Sequence, residues 1–188
     1  PSIISTMKSA SPDNIIEDAD HAKTTYGFAG SGGWAGQTIY YVKISDSPEG
    51  ADDPNEPDIL YTSMIHSREL SSLMGNIYFM WYLLENYGTN DEVTYLVDHT
   101  QMFFVPCLNP DGYIYNEQTN PNGGGMWRKN RRNGYGIDLN RNYSYGWGTT
   151  GVSFNTGNDT YPGTGPFSEP ETQAMKWLVE NYDFEMAF

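Results

Sequence analysis

The stretch from Ile59 to Leu108 decides the fold: it begins Ile59-Leu-Tyr-Thr-Ser-Met-Ile65 and ends Gln101-Met-Phe-Phe-Val-Pro-Cys-Leu108. Both runs are rich in β-branched and aromatic residues, so each predicts a strand. Between them, apolar side chains recur at spacings of three and four, which predicts a helix with one buried apolar stripe. The stripe consists of Leu70, Leu73, Met74, Ile77, Tyr78, Trp81 and Leu84. Strand, helix and strand together indicate a βαβ unit, and therefore an α/β fold with helices beside a parallel or mixed sheet.

Other elements are predicted on either side of this unit. Thr38 to Ile44 predicts a further strand, and Asn14 to Thr24 a short helix. Asn109-Pro-Asp-Gly112 fits a type I turn at the start of a long region rich in glycine and asparagine. Ser168-Glu-Pro-Glu171 fits a capping box with Ser168 as N-cap, so we assign both of its acids to a helix start and not to chemistry.

Composition excludes several classes of protein. The chain has 188 residues and a formal net charge of −14, which disfavours a general nucleic-acid-binding surface. Its apolar runs fall short of the roughly 18 residues that a membrane helix needs, and no export signal is visible. The single cysteine, Cys107, excludes an intrachain disulfide and a thiolate-rich zinc site, and we interpret it as an unreactive buried thiol. Without a repeat or a linker, residues 1–188 are expected to form one domain.

Positive charge is concentrated in one short segment. Half of the cationic side chains lie in the 14 positions from 128 to 141: Arg128, Lys129, Arg131, Arg132 and Arg141. Such a cluster attracts an anion while the rest of the surface repels it. A solvated loop that balances nearby acids is the alternative interpretation.

One of the three histidines stands where a site is expected. His66 follows the strand Ile59 to Ile65 directly, and Glu69 comes three residues later, where the helix begins. Residues at this spacing share a face of a helical turn, so imidazole and carboxylate can converge on one point. The carboxyl end of a strand is also where α/β folds place their sites, and this pair of ligands suits zinc. A catalytic zinc takes three protein ligands, however, and this motif supplies two.

The cationic segment complements that pair. An arginine binds a carboxylate through a bidentate fork, and a neighbouring asparagine can add a donor. An arginine aimed at a polarised carbonyl can instead stabilise an oxyanion. Metal ligands, a carboxylate clamp and an oxyanion donor together suggest hydrolysis at the free C-terminal end of a peptide.

Several motifs carry a family resemblance. They are His66-Ser-Arg-Glu69, Asn109-Pro-Asp-Gly-Tyr113, Trp127-Arg-Lys-Asn-Arg131, Asp138-Leu-Asn-Arg-Asn142 and the segment from Tyr161 to Glu171. In this order and at this spacing, the chain resembles the zinc metallocarboxypeptidases of the carboxypeptidase A and T type. The resemblance spans nearly the whole chain. It implies a three-layer α/β/α sandwich around a mixed, twisted sheet, truncated at its C-terminal side, and one catalytic Zn²⁺.

The resemblance also implies a role for individual residues. His66 and Glu69 would be zinc ligands, and Arg128 would polarise the scissile carbonyl and stabilise the oxyanion. Asn140 and Arg141 would hold the terminal carboxylate of the substrate. Arg68 would line an outer subsite.

The chain departs from the family pattern at its end. In the family, the third zinc ligand is a histidine that follows the strand after the capped helix, and here that strand would start near Phe184. The glutamate base also comes later in the family. We therefore expect residues 1–188 to be an incomplete catalytic domain whose third ligand lies beyond Phe188. Such a chain would bind zinc weakly and show no activity by itself.

Two other functions stay open. A non-catalytic relative could keep the carboxylate clamp and bind peptide C-termini. An aromatic-rich extracellular module could bind sugars through Trp34, Trp127 and Trp147. For the leading interpretation we expect a monomeric, secreted enzyme that acts on peptides or proteins with a free C-terminus, with neither nucleic acid nor a membrane as a partner.

Overall fold

Five strands form one mixed sheet in the computed structural model, which describes residues 2–11, 16–28, 32–48 and 53–188. The strands are β1 (Ile16–Thr24), β2 (Thr38–Ile44), β3 (Asp58–Thr62), β4 (Gln101–Val105) and β5 (Phe184–Ala187). Their order across the sheet is β1-β2-β4-β3-β5. β3 is parallel to both β4 and β5, whereas β2 is antiparallel to β1 and β4. β3 and β4 each stop three residues before the end of the predicted run.

Helices cover both faces of this sheet. They are α1 (Ser2–Ala10), α2 (Leu70–Asn86), α3 (Asp91–His99), α4 (Pro110–Thr119) and α5 (Pro170–Asn181). Successive side chains of β4 point to opposite faces: Phe104 packs in the cluster that contains α2 and α3, and Phe103 packs against α5. Because both phenylalanines are fully buried, each face has its own apolar core. The predicted three-layer α/β/α sandwich with a mixed sheet is confirmed.

Two helices, α2 and α3, connect the parallel strands β3 and β4, and the apolar stripe predicted for α2 is only half buried. Leu84 lies in the core, whereas Leu70, Met74 and Tyr78 are 47%, 62% and 71% exposed. The prediction that the whole stripe packs in the core is therefore wrong, because only the C-terminal half of α2 lies against other apolar elements. Among the described residues, no helix is long and apolar enough to cross a membrane.

The segment predicted as a helix at 14–24 is the strand β1. Asn14 and Ile15 lie outside the described residues, and Ile16 to Thr24 pair antiparallel with β2. Hydrogen bonds to a neighbouring strand, which local sequence does not encode, override the weak helix signal here.

The predicted turn at Asn109 is the start of α4. Asn109 caps this helix, its Oδ1 accepting from the amide of Gly112 at 3.0 Å, and Pro110 takes the first helical position. A type I turn and a first helical turn begin with the same backbone conformation, so the motif is ambiguous. Gly112 is needed for space: a Cβ there would lie 2.5 Å from the carbonyl oxygen of Lys129 and 2.5 Å from Ser67 Oγ.

The predicted capping box at the start of α5 is also wrong. Glu169, not Ser168, is the N-cap, and its side chain makes no capping bond. Glu169 and Glu171 are 0% and 1% exposed, and both accept from Asn130 Nδ2, at 2.9 and 3.3 Å. The two acids are thus part of a buried polar network under the cationic segment.

Glu171 makes the stability of the fold depend on pH. Burial, reinforced by the charges of Glu169 and Asp111, raises its pKa from 4.5 to about 8. Between these values the folded chain keeps a proton that the unfolded chain has released, so stability falls as pH rises through this window. The slope is at most about 1.4 kcal/mol per pH unit.

We expect Glu171→Gln to remove this component. In urea denaturation at a series of pH values, the variant should gain stability relative to the parent chain from about pH 4.5 to about 8. Glu117→Gln, at an exposed glutamate of α4, should keep the parent's pH profile. Parallel profiles for the parent and Glu171→Gln would contradict the assignment.

Candidate active site

The turn after β3 brings His66 and Glu69 together. Met64 takes a left-handed conformation, with φ 58°, which bends the chain out of the sheet. The amide of Glu69 then donates to the carbonyl of His66 at 3.0 Å, and α2 begins at the next residue. Glu69 is the N-cap residue of α2 but makes no side-chain cap bond, so its carboxylate is available to the imidazole.

Each ring nitrogen of His66 faces a carboxylate. Nδ1 lies 2.9 Å from Glu69 Oε1, and Nε2 lies 3.2 Å from Asp138 Oδ1. The Glu69 side chain is 48% exposed, whereas that of Asp138 is fully buried. The buried carboxylate can accept a proton from Nε2, which would leave Nδ1, the nitrogen on the Glu69 side, to bind a metal.

Asp138 is held ionised at the base of the site. Burial raises its pKa, but hydrogen bonds from His66 and Arg128 outweigh burial, and the pKa of this carboxyl lies below its usual value. Arg128 Nη2 donates to Asp138 Oδ2 at 3.0 Å. One carboxylate therefore orients both an imidazole and a guanidinium.

Arg128 lies beside the same imidazole. Its Nη1 is 3.3 Å from His66 Nδ1, and its side chain is 15% exposed. Its backbone carbonyl accepts from the amide of Ser67 at 3.1 Å, which ties the cationic segment to the 66–69 turn. The structure thus brings together three residues predicted for the site: His66, Glu69 and Arg128.

Asn140 and Arg141 follow Asp138 in a short 3₁₀ turn, Leu139–Arg141. Asn140 is exposed, and its backbone amide donates to Asp138 Oδ1 at 3.1 Å. Arg141 Nε donates to the carbonyl of Gly151 at 2.9 Å, and its Nη1 to the carbonyl of Asn140 at 3.0 Å. Among the described residues, Nη2 has no protein partner, and the side chain lines a cavity of about 420 Å³.

Arg68 lies in the 66–69 turn and its side chain is 29% exposed; we call Arg68 and its exposed partner Asp159 the rim. Its Nη1 donates to the carbonyl of Met126 at 3.2 Å and lies 3.4 Å from the exposed carboxylate of Asp159. An exposed ion pair of this length is weak, so the guanidinium can exchange it for another anion.

The cationic segment is not a single positive surface. Lys129 is buried, and its Nζ donates to the carbonyls of Thr156 and Asn158, both at 2.8 Å. Arg131 lies within 4.5 Å of the ring centroids of Phe28, Tyr115 and Trp127. Arg132 pairs with Glu169 at 3.4 Å. Of the five cations, Arg128 lies beside His66 and Arg141 lines the cavity of about 420 Å³, whereas the other three are engaged in these internal contacts.

The three tryptophans considered for sugar binding are anchored within loops. The indole nitrogens of Trp34, Trp127 and Trp147 donate to Asp111, to the carbonyl of Asn130 and to the carbonyl of Pro162. Arg131 covers one face of the Trp127 ring, at 4.2 Å from its centroid. These contacts favour a role in packing.

Sequence reasoning missed Asp138 and two buried asparagines. Asn109 Nδ2 lies 3.2 Å from the carbonyl of Ile65 and 3.4 Å from that of Arg128. Asn116 Nδ2 donates to the carbonyls of Ser67 and Trp127, at 3.1 and 2.9 Å. The two asparagines therefore hold the 66–69 turn against Arg128. A signal for Asp138 existed in the sequence, since it is the only acid among the five clustered bases.

The pair His66 and Glu69 fits a zinc ion. Two donors in a tetrahedral zinc site, each at about 2.0 to 2.1 Å from the metal, lie about 3.3 Å apart. Nδ1 and Oε1 are 2.9 Å apart, so a movement of a few tenths of an ångström would suffice. Within residues 2–11, 16–28, 32–48 and 53–188, three or more His, Cys, Asp or Glu side chains are nowhere grouped to hold a metal.

Known protein sequences resemble this chain. The sequence model of the zinc carboxypeptidase family matches residues 29–188. Human carboxypeptidase O is 37% identical over 149 residues, which cover 76% of this chain and 37% of that protein. Metallocarboxypeptidase A from Trichophyton rubrum is 34% identical over 166 residues, which cover 78% of this chain and 38% of that protein. The chain thus spans less than two fifths of the length of these relatives.

Solved structures of carboxypeptidases share this fold. Carboxypeptidase A from Helicoverpa armigera superposes with a TM-score of 0.75 at 27% identity, covering 95% of this chain and 40% of that one. Thrombin-activatable fibrinolysis inhibitor gives a TM-score of 0.78 at 26% identity, covering 97% of this chain and 43% of that one. Because the family model matches residues 29–188, which are most of this chain, the chain belongs to the zinc carboxypeptidase family.

Proposed function

We propose that this chain is the N-terminal and central part of a zinc-dependent metallocarboxypeptidase, which removes C-terminal residues from peptides. The observation that carries the proposal is the placement of His66 between two carboxylates, one buried and one open to solvent. His66 Nδ1 and Glu69 Oε1 would bind the zinc ion. Bound zinc supplies an activated water and a Lewis acid for the scissile carbonyl.

The cationic side chains would position the substrate. The Arg128 guanidinium, oriented by Asp138, would donate to the oxygen that becomes negative during attack on the peptide bond. Asn140 and Arg141 would hold the terminal carboxylate, with Arg141 Nη2 as the available donor. Arg68, at the rim, would contact a residue further from the C-terminus.

We propose that the third zinc ligand and the glutamate base lie beyond Phe188. The amide of Thr62 donates to the carbonyl of Phe188 at 2.8 Å, so the parallel pairing of β5 continues along β3 towards His66. A few more residues in this direction would reach the 66–69 turn. We call this chain together with such a following segment the extended protein.

Zinc binding and activity test the proposal together. The 188 residues alone should bind zinc weakly and release no amino acid from peptides, because metal binding depends on all ligands. The extended protein should bind one zinc tightly and release C-terminal residues. Tight, stoichiometric zinc in the 188 residues would contradict the assignment of the third ligand. An extended protein that binds peptides with a free C-terminus without cleaving them would be a non-catalytic relative.

Asp138 should tune the metal without binding it. We expect Asp138→Asn to lower the zinc affinity of the extended protein by about 10- to 100-fold, since a neutral amide holds the imidazole less firmly. Competition with a chromophoric chelator measures this change. Asp159→Asn, at the exposed rim carboxylate, is the control and should leave zinc affinity unchanged. Equal zinc affinities for Asp138→Asn and the parent would contradict a role for Asp138 in zinc binding.

Further properties follow from the family membership as proposals. We propose a monomeric, secreted enzyme that acts on peptides or proteins with a free C-terminus. The net charge of −14 and the low lysine content support secretion.

A further inference from the structure

Two segments carry the site side chains, and both are tied to the first turn of α5. Asn130 anchors the segment that contains Arg128. It is 1% exposed, its Oδ1 accepts from the amide of Ile137 at 2.8 Å, and its Nδ2 donates to Glu169 Oε2 at 2.9 Å. One side chain therefore closes the loop 130–137 and fastens it to the helix.

Asn142 serves the segment that contains Asn140 and Arg141. It is fully buried, and its Oδ1 accepts from Thr172 Oγ1 at 2.7 Å and from the amide of Glu169 at 3.2 Å. Its Nδ2 lies within hydrogen-bond distance of three oxygens: the carbonyls of Pro162 and Gly165, and Ser168 Oγ. Protein groups thus satisfy every polar atom of this side-chain amide, which leaves it one orientation.

The backbone passes tightly over this amide. Gly163 has φ +88°, and a Cβ there would lie 2.9 Å from Asn142 Nδ2 and 2.7 Å from Ser168 Oγ. The backbone amide of Asn142 donates to the carbonyl of Leu139 at 3.1 Å, and this bond ends the turn that holds Asn140 and Arg141. A displacement of the Asn142 side chain would therefore move the backbone of the residue immediately before it.

We propose that Asn142 and Thr172 are positioning residues for the carboxylate clamp of Asn140 and Arg141. This inference rests on the proposed function, because the clamp is defined by it. Thr172 lies on α5 and is fully buried, and its Oγ1 lies 2.7 Å from Asn142 Oδ1 and 3.0 Å from the carbonyl of Glu169. A clamp that must meet both oxygens of a carboxylate loses affinity when its backbone shifts by a fraction of an ångström.

Thr172→Val tests the proposal, because valine keeps the shape and removes the hydroxyl. In the extended protein, the KM for benzoyl-glycyl dipeptides with a free carboxylate should rise about 3- to 10-fold, whereas kcat and zinc affinity should not change. Thr172→Ser, which keeps the hydroxyl, should restore the parent KM. Calorimetric binding to the metal-free extended protein should show the same loss of affinity for free acids and none for the corresponding amides.

A buried threonine elsewhere provides the matched control. Thr100 Oγ1 donates to the carbonyl of Leu96 at 2.7 Å, and Thr100 is 8% exposed. Thr100→Val should lower the thermal stability by a similar amount and leave KM unchanged. A Thr172→Val variant with lowered stability but the parent KM would overturn the positioning role, as would equal losses for acids and amides.

Failure of this inference differs from failure of the proposed function. If Arg141→Ala leaves the preference for free acids intact, the clamp assignment itself is wrong. If Arg141→Ala abolishes that preference and Thr172→Val does not weaken it, only the positioning role is wrong.

Discussion

Replacing Arg128 by alanine is expected to lower the kcat of the extended protein by about 100- to 1,000-fold, while KM changes little. The guanidinium lies 3.3 Å from His66 Nδ1 and is braced by Asp138 at 3.0 Å, so it would face the carbonyl at the metal in a fixed orientation. A donor of this kind acts mainly on charge that develops in the transition state. Steady-state kinetics with a free-acid dipeptide measure the effect.

Zinc content must be measured in the same samples, because Arg128 and His66 share Asp138 as a partner. Arg128→Lys keeps a positive charge but loses the fork, and it should recover only part of kcat. Lys176→Ala, on the exposed face of α5, should behave as the parent. A loss of activity that follows zinc content and disappears on adding zinc would assign Arg128 to metal retention instead.

Arg141→Ala is expected to weaken binding of peptides with a free C-terminus by about 10- to 100-fold, as loss of a hydrogen bond between charged groups implies. Binding of the C-terminal amides should stay as it is, because no carboxylate is involved. Titration calorimetry with the free acid and the amide of one peptide separates the two cases.

Arg141→Lys provides the matched comparison. A lysine keeps the charge without the bidentate geometry, so we expect an intermediate affinity for free acids. Arg68→Ala should reduce affinity for acid and amide equally, since Arg68 lies at the rim and not in the clamp. Equal losses of affinity for the acid and the amide in Arg141→Ala would show that Arg141 does not bind the terminal carboxylate.

The central part of the fold could be predicted from the sequence because its signals are local. β4 is buried throughout and β3 is buried or half-buried, so both segments are largely apolar in sequence. β1 gives no such signal: Ile16-Glu-Asp-Ala-Asp-His-Ala-Lys-Thr24 is mostly polar, and pairing with β2 makes it a strand. The start of α4 was ambiguous for a related reason, since Asn109-Pro-Asp-Gly112 suits both a turn and a helix.

The same distinction holds for the candidate site. His66 and Glu69 could be paired because they lie three residues apart at a strand end. Asp138 lies 72 residues from His66 in the chain, and only the folded sheet brings the two together. The capping pattern predicts Glu169 and Glu171 only as helix-start residues, because it does not reveal that the helix start is buried beneath another segment.

The strand order also has a consequence for biosynthesis. β4 lies between β2 and β3, so the first two strands cannot join the third until residue 105 has left the ribosome. The contacts that fix the imidazole come later still, from Asp138, and those that hold the clamp come from Thr172. Residues 66–69 therefore leave the ribosome long before their partners, and we expect the proposed zinc site to load only after Asp138 and Thr172 have been synthesised.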